Sequence, residues 1–193
     1  MNTLFREIRN SIVGILALSV LLCGVYPLIT WGLGQMLFNG KANGSLLVEE
    51  GKVTGSALLA QGFAGRQYFH PRPSAAGRGY DAQSSGGSNL GPLSRTLAET
   101  VKRRVDEYRR ENGLAPDVPV PADAVTASAS GLDPHISPEN AFIQAKRIAR
   151  ERGMTEGAVI RKIREHTEAR TFGILGEPRV NVLTLNCALD GRL

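Results

Sequence analysis

The stretch YDAQSSGGSNLG, Tyr80 to Gly91, concentrates groups suited to binding. It carries hydroxyls on Ser84, Ser85 and Ser88, an amide on Asn89, a carboxylate on Asp81 and the adjacent glycines Gly86 and Gly87. Neighbouring glycines can expose successive backbone N–H groups as a concave anion-binding nest, so the chemistry to expect is capture of a phosphate. The plainer reading is a glycine turn that closes a surface loop before Pro92. A second cluster, DPHISP from Asp133 to Pro138, sets Asp133 two residues from His135. A carboxylate and an imidazole do acid–base work only beside a nucleophile or metal, and the sequence identifies neither, so the segment reads first as a turn into a capped helix. His70, His135 and His166 are far apart along the chain, and a zinc site would need the fold to gather all three. HTEAR, His166 to Arg170, reads as a helix end where basic residues suit the dipole. GxxxxGKS, GxxxxGKT, HExxH, CxxC, GxSxG and SxxK are all missing, which removes the familiar NTPase and hydrolase sites from the sequence reading.

These residues must be positioned by the elements around them. Ser45 to Leu59 reads as a hairpin whose turn includes Glu49, Glu50, Gly51 and Lys52. Gly62 to Pro92 is rich in Gly, Ser and Pro but is interleaved with Phe63, Tyr68, Phe69 and Tyr80, and such aromatics favour an ordered loop. Pro92 opens a helix to about Asn112, with Leu93, Leu97, Val101, Val105 and Tyr108 on one face, Glu99–Arg103 and Asp106–Arg110 as supporting pairs, and Gly113 as its stop. Ala115 to Ala124 is an extended connector. Ser137 caps a second helix that buries Phe142, Ile143, Ala145, Ile148 and Ala149 and ends at Gly153. Thr155 caps a third, with Val159, Ile160 and Ile163 inward. Val180 to Leu189 alternates as a strand, with Leu183, Leu185, Cys187 and Leu189 on one face.

The N-terminal part is of a different kind. No charge stands between Arg9 and Lys41, and Ile12 to Leu33 as a helix would reach about 33 Å, enough for a hydrocarbon core about 30 Å thick. Tyr26 and Trp31 suit an interfacial anchor, and Pro27 is expected to kink the last turn. Neither a small-residue cleavage site nor a small residue before Cys23 supports a cleaved signal. The division expected is a short cytoplasmic N-terminus (1–11), a transmembrane helix (12–33) and an extracytoplasmic α+β domain (34–193). Arg6 and Arg9 against Glu7 give a mild bias for a cytoplasmic N-terminus. The chain has 193 residues and a net charge of +5, but its basic residues are interspersed with acids along helices, which disfavours nucleic acid as a partner. Cys23 and Cys187 lie in such different surroundings that a disulfide is not expected.

Three blocks carry a wider resemblance: YFHPRPSAAGRGYDAQSSGGSNLGP (Tyr68 to Pro92), VTASASGLDPHISPENA (Val125 to Ala141) and HTEARTFGILGEPRVNVLTLNCALD (His166 to Asp190). Together with the N-terminal anchor, and in this order over nearly the whole chain, they resemble the C subunit of the bacterial Kdp potassium-transporting ATPase. The resemblance implies a non-catalytic accessory subunit, needed for assembly and activity, in the bacterial inner membrane with its domain in the periplasm. The partners implied are a channel-like potassium-binding subunit, a P-type ATPase subunit phosphorylated on aspartate and a small single-span subunit. ATP, magnesium and potassium are used by the complex, with no cofactor of the chain's own. The resemblance also implies an alternative, a catalytic chaperone that raises ATP affinity of the ATPase subunit through a transient ternary complex, because SSGGS itself is similar to the ABC-type signature loop. In that alternative Ser85, Gly86, Gly87 and Ser88 meet the nucleotide. If the loop lies outside the membrane, cytoplasmic ATP cannot reach it, and Tyr80, Asp81, Ser84 to Asn89, Asp133 and His135 are then expected to serve shape and partner contact.

Overall fold

The computed structural model describes residues 2–49 and 51–192, so Glu50 of the expected hairpin turn and the two terminal residues lie outside the described residues. The chain divides into two units, one up to Leu46 and one from Leu47 onward.

The first unit is helical almost throughout: α1 (Asn2–Ser19), a π-helical turn (Val20–Val25) and α2 (Tyr26–Ala42). Among the described residues one stretch, Thr3–Ala42, is long and apolar enough to cross a membrane, and its apolar side chains are exposed. At about 1.5 Å per residue this helix extends well past the expected span of 12–33. The wide turn stands where Pro27 acts. Proline has no N–H to give to the carbonyl four residues back and its ring crowds that carbonyl, and widening the preceding turn removes the clash. The Tyr26 N–H reaches back to the Leu21 carbonyl, and Thr30 Oγ1 donates to the carbonyls of Tyr26 and Pro27 at 3.0 Å each. Tyr26 and Trp31 are exposed on α2. Gln35, Asn39 and Asn43, spaced by four, satisfy one another along one side of the helix through bonds of 2.9 to 3.2 Å.

The second unit is a small α+β domain with two sheets. Strands β1 (Leu46–Glu49) and β2 (Lys52–Ser56) form the expected hairpin. The other sheet has the order β3 (His135–Ile136), β5 (Arg179–Asn181), β4 (Thr167–Glu168), antiparallel, with His135 opposite Asn181 and Thr167 opposite Val180. Helices α3 (Arg95–Asn112), α4 (Ala122–Val125), α5 (Pro138–Arg152), α6 (Glu156–Glu165) and α7 (Val182–Leu189) complete it. Phe69, Ile136, Ala141, Ala145, Ile148, Val159, Ile163, Val180, Val182 and Leu185 are the heart of the core. Fully burying side chains of this size is worth about 1.5–3 kcal/mol for each large one.

Capping residues set the helix ends where their chemistry places them. Ser137 and Thr155 accept from the N–H groups of Asn140 and Ala158, and Gly113 and Gly153 close α3 and α5 in left-handed conformations. Ser94, rather than Pro92, caps α3, which leaves Leu93 wholly exposed, and the α3 ion pair that forms is Arg103–Glu107 at 3.5 Å. The connector contains the short helix α4, and Phe142 turns outward while Gln144 and Arg147 on the same helix are buried.

The clearest departure is at the C-terminus. Only Arg179–Asn181 is a strand, and Val182–Leu189 is a helix. Asn181 caps it, its side-chain oxygen accepting from Thr184 N at 3.2 Å. Val182, Leu183, Leu185, Asn186 and Ala188 are all buried. A short helix enclosed on most sides loses the polar face that would mark its 3.6-residue period, and the leucines at alternate positions then mimic a strand.

Candidate functional site

The segment from Ala60 to Gly91 has almost no regular secondary structure, yet its Arg66 to His70 stretch is held by side chains from the helices. Asn186 of α7 accepts from the Phe69 N–H at 2.8 Å and donates to the Phe69 carbonyl at 3.0 Å. Gln144 of α5 does the same for His70, at 2.8 and 3.2 Å. Each amide satisfies both backbone groups of one residue, and at buried Phe69 leaving them unpaired would cost about 1–3 kcal/mol per group. Buried Arg147 adds the carbonyls of Arg66 and Tyr68 and the side-chain oxygens of Gln144 and Asn112. Its burial depresses its pKa, and these acceptors offset the lost hydration. Asp123 ties α4 to the start of α5, accepting from Ser137 N and Oγ and from Asn140 Nδ2 at 2.8 to 3.0 Å. Tyr108 Oη donates to Asn140 Oδ1 at 2.8 Å, and burial raises the phenol's pKa strongly.

The glycine–serine loop rests on a second loop, Ala127 to Asp133. Gly86 N–H donates to the Ser130 carbonyl at 2.9 Å, and Ser85 Oγ donates to the same oxygen at 3.0 Å. Ser74 Oγ donates to the Gly131 carbonyl at 2.7 Å and accepts from the N–H groups of Ala76 and Tyr80. A Cβ on Gly87 would stand 3.0 Å from the Ala129 carbonyl oxygen, and one on Gly131, at φ +66°, would stand 2.6 Å from Ala76 N and 2.8 Å from Gly86 O. The two loops therefore meet backbone to backbone, and glycine at 131 is what allows the approach. Gly86 and Gly87 are not among the left-handed residues, whereas Tyr80 (φ +57°) and Asn89 (φ +51°) are. Asp81 caps a turn of 3-10 helix, Ala82–Ser84, by accepting from Gln83 N at 2.9 Å. Ser84, Ser88 and Asn89 are exposed.

Arg72 joins this loop to Asp133 and His135. Its Nη1 lies 3.0 Å from Asp133 Oδ2, and its carbonyl accepts from Tyr80 Oη at 2.9 Å. Asp133 Oδ1 accepts from His135 N at 3.0 Å and faces His135 Nδ1 at 3.4 Å. Burial pushes the Asp133 carboxyl up, but the bonds from His135 and Arg72 outweigh it together and bring the pKa to about 2. The carboxylate is thus fixed as an anion and spent on holding two loops, a structural duty that leaves it a poor proton carrier near neutrality.

The three histidines are not gathered. His70 pairs with Glu111 at 3.2 Å and places Nε2 3.1 Å from the Gly65 carbonyl, His135 faces Asp133, and His166 Nδ1 lies 2.9 Å from the Lys162 carbonyl. Among the described residues no group of three or more His, Cys, Asp and Glu side chains is placed to hold a metal ion. A cleft of about 280 Å³ opens between the loop and α3, lined by His70, Tyr80, Arg104, Tyr108 and Glu111 among others. The hydrogen bond from His70 lowers the Glu111 pKa, while burial raises that of Tyr80 and lowers that of Arg104. Sequence reasoning missed this cleft and the amide clamps behind it, because hydrogen bonds between residues far apart in the chain leave no periodic trace.

Known proteins are similar to this chain nearly end to end. The family described as K+-transporting ATPase, c chain (KdpC), matches residues 8–191. A Nitratidesulfovibrio vulgaris protein named potassium-transporting ATPase KdpC subunit is 55% identical over 186 residues, covering 95% of this chain and 93% of its own. Proteins of the same name from Myxococcus xanthus and Mycobacterium tuberculosis are 52% and 51% identical, covering 99% and 96% of this chain and 89% and 98% of theirs. At that identity and coverage, with an apolar N-terminal helix ahead of a small α+β domain, the chain belongs to the KdpC family of potassium-transporting ATPase subunits.

Proposed function

We propose that the chain is a non-catalytic accessory subunit of a potassium-transporting P-type ATPase complex, and that it acts through protein contacts. It is tethered in the bacterial inner membrane by α1 and α2, with the N-terminus in the cytoplasm and the domain in the periplasm. Its partners are a channel-like potassium-binding subunit, the ATPase subunit and a small single-span subunit. ATP, magnesium and potassium are handled by those partners. Family membership supports the assembly role, and the mild positive bias before the helix supports the orientation.

The observation that carries the non-catalytic reading is the use made of the glycine–serine loop. A phosphate cradle needs several backbone N–H groups converging on one point with nothing bound to them. Here the Gly86 N–H is bound to Ser130 O, Ser85 Oγ is bound to the same atom, and Gly87 packs against Ala129. The pentapeptide serves as the face by which one loop seats on another, and Ser84 and Ser88, with Asn89 just beyond it, are left outward as contact surface.

Two substitutions in the whole complex test this. Gly87→Ala presses a methyl group on the Ala129 carbonyl and should reduce the yield of assembled complex, with an unchanged KM for ATP in the complex that survives. Gly86→Ala meets open space and should leave both quantities as they are. A selective rise in the KM for ATP with full assembly, in either variant, contradicts the proposal and favours direct nucleotide contact.

A further inference from the structure

Between β4 and β5 the chain makes a tight, closed turn. Thr171 and Leu175 form an antiparallel bridge, each N–H donating to the other's carbonyl at 2.9 Å, and Gly173 N–H donates to Arg170 O at 3.0 Å. Outside the bridge, Arg170 pairs with Glu177 at 2.6 Å, and Arg179 pairs with Glu168 at 2.8 Å. This built turn holds outward the side chains the core would ordinarily claim: Phe172 is 89% exposed, Ile174 75% and Leu175 57%. Phe172 sits at φ +55°, a conformation that a bulky residue keeps only when its surroundings impose it, and Gly173 and Gly176 are left-handed on either side of Ile174 and Leu175. A slack loop needs no such bracing. Apolar side chains displayed on a braced support are arranged for contact.

Charge decides what they contact. Segments that enter a lipid surface keep unpaired Lys or Arg beside the apolar residues, to meet anionic headgroups. Both cations flanking this turn are instead bound to neighbouring carboxylates, so the stem is neutralised from within. A neutral apolar tip matches the dry centre of a protein interface, where charged residues are depleted and large apolar anchors fill pockets on the partner. We infer that Phe172, Ile174 and Leu175 form an apolar knob that seats in a neutral hydrophobic socket on another subunit of the ATPase complex. This inference rests on the accessory-subunit reading and adds to it a contact surface separate from the glycine–serine loop.

The test uses the tagged full chain co-expressed with the remaining subunits. Phe172→Ser combined with Ile174→Ser should weaken retention of the other subunits by about 30-fold, the size of a hot-spot truncation. The urea midpoint of the double variant should match wild type, because neither side chain is in the core. Leu93→Ser, at an equally exposed leucine outside the turn, should retain the subunits normally. A photoreactive phenylalanine analogue at position 172 should crosslink to a protein subunit. Normal retention by the double variant, or crosslinks to lipid alone, overturns the knob while leaving the accessory reading in place. A wild-type chain that retains no other subunit overturns both.

Discussion

Replacing Gly131 with alanine imposes two penalties at once. The residue sits at φ +66°, where a Cβ costs about 1–2 kcal/mol in an L-residue. The new atom would also stand 2.6 Å from Ala76 N and 2.8 Å from Gly86 O, both backbone atoms that move only if the loops part, and overpacking of this kind costs about 1–3 kcal/mol. The total is about 3 kcal/mol. With a urea dependence of about 2 kcal/mol per molar, the midpoint should fall by about 1.5 M. Pulse proteolysis of the full chain in detergent across a urea series reads this midpoint. Gly113 supplies the internal comparison, since it has the same φ of +66° with nothing within 4 Å of an added Cβ. Gly113→Ala should lose only the conformational part, about 1 kcal/mol, or about 0.5 M. If Gly131→Ala costs no more than Gly113→Ala, the close approach of the two loops is wrong, and with it the argument that the glycine–serine loop is consumed by packing.

Asn186→Ala removes both partners of the Phe69 backbone at once and should destabilise the domain by roughly 2–4 kcal/mol in the same assay, with Asn186→Asp only partly restoring it because the donor to the Phe69 carbonyl is gone. Asp133 gives a pH prediction. Its folded pKa of about 2 lies below the ordinary carboxylate value, so its contribution is fully present above about pH 4 and is lost as pH falls through about 2. With the group partly open to solvent, this amounts to about 1–2 kcal/mol, and Asp133→Asn should flatten the acid limb of a stability–pH curve between those values. An unchanged acid limb would show that Arg72 and His135 do not hold the carboxylate in solution.

The sequence announces those features that depend on near neighbours. Ser137, Thr155, Gly113 and Gly153 mark helix ends because capping is a contact across three or four residues, and the apolar run from Ile12 to Leu33 marks itself. The order within Gly62 to Pro92 is hinted at by its aromatics, and Phe69 is indeed fully buried. What organises that segment is not legible, because Gln144, Arg147 and Asn186 look like ordinary polar residues until tertiary folding sets them against backbone more than seventy residues away. Gly131 is equally silent: it lies inside the Val125 to Ala141 block, but nothing local singles it out, and the need for glycine arises only from the loop laid across it. The α7 error has the opposite origin. There a local pattern spoke for a strand, and burial on most sides overrode it.

A periplasmic loop cannot meet cytoplasmic ATP, so the side of the membrane on which the domain lies decides between partner contact and nucleotide contact. The decisive measurement is protease accessibility of a C-terminal epitope in intact spheroplasts, with lysed cells as control. Digestion in intact spheroplasts is the predicted result. Protection until lysis would reverse the orientation and return the glycine–serine loop to the nucleotide.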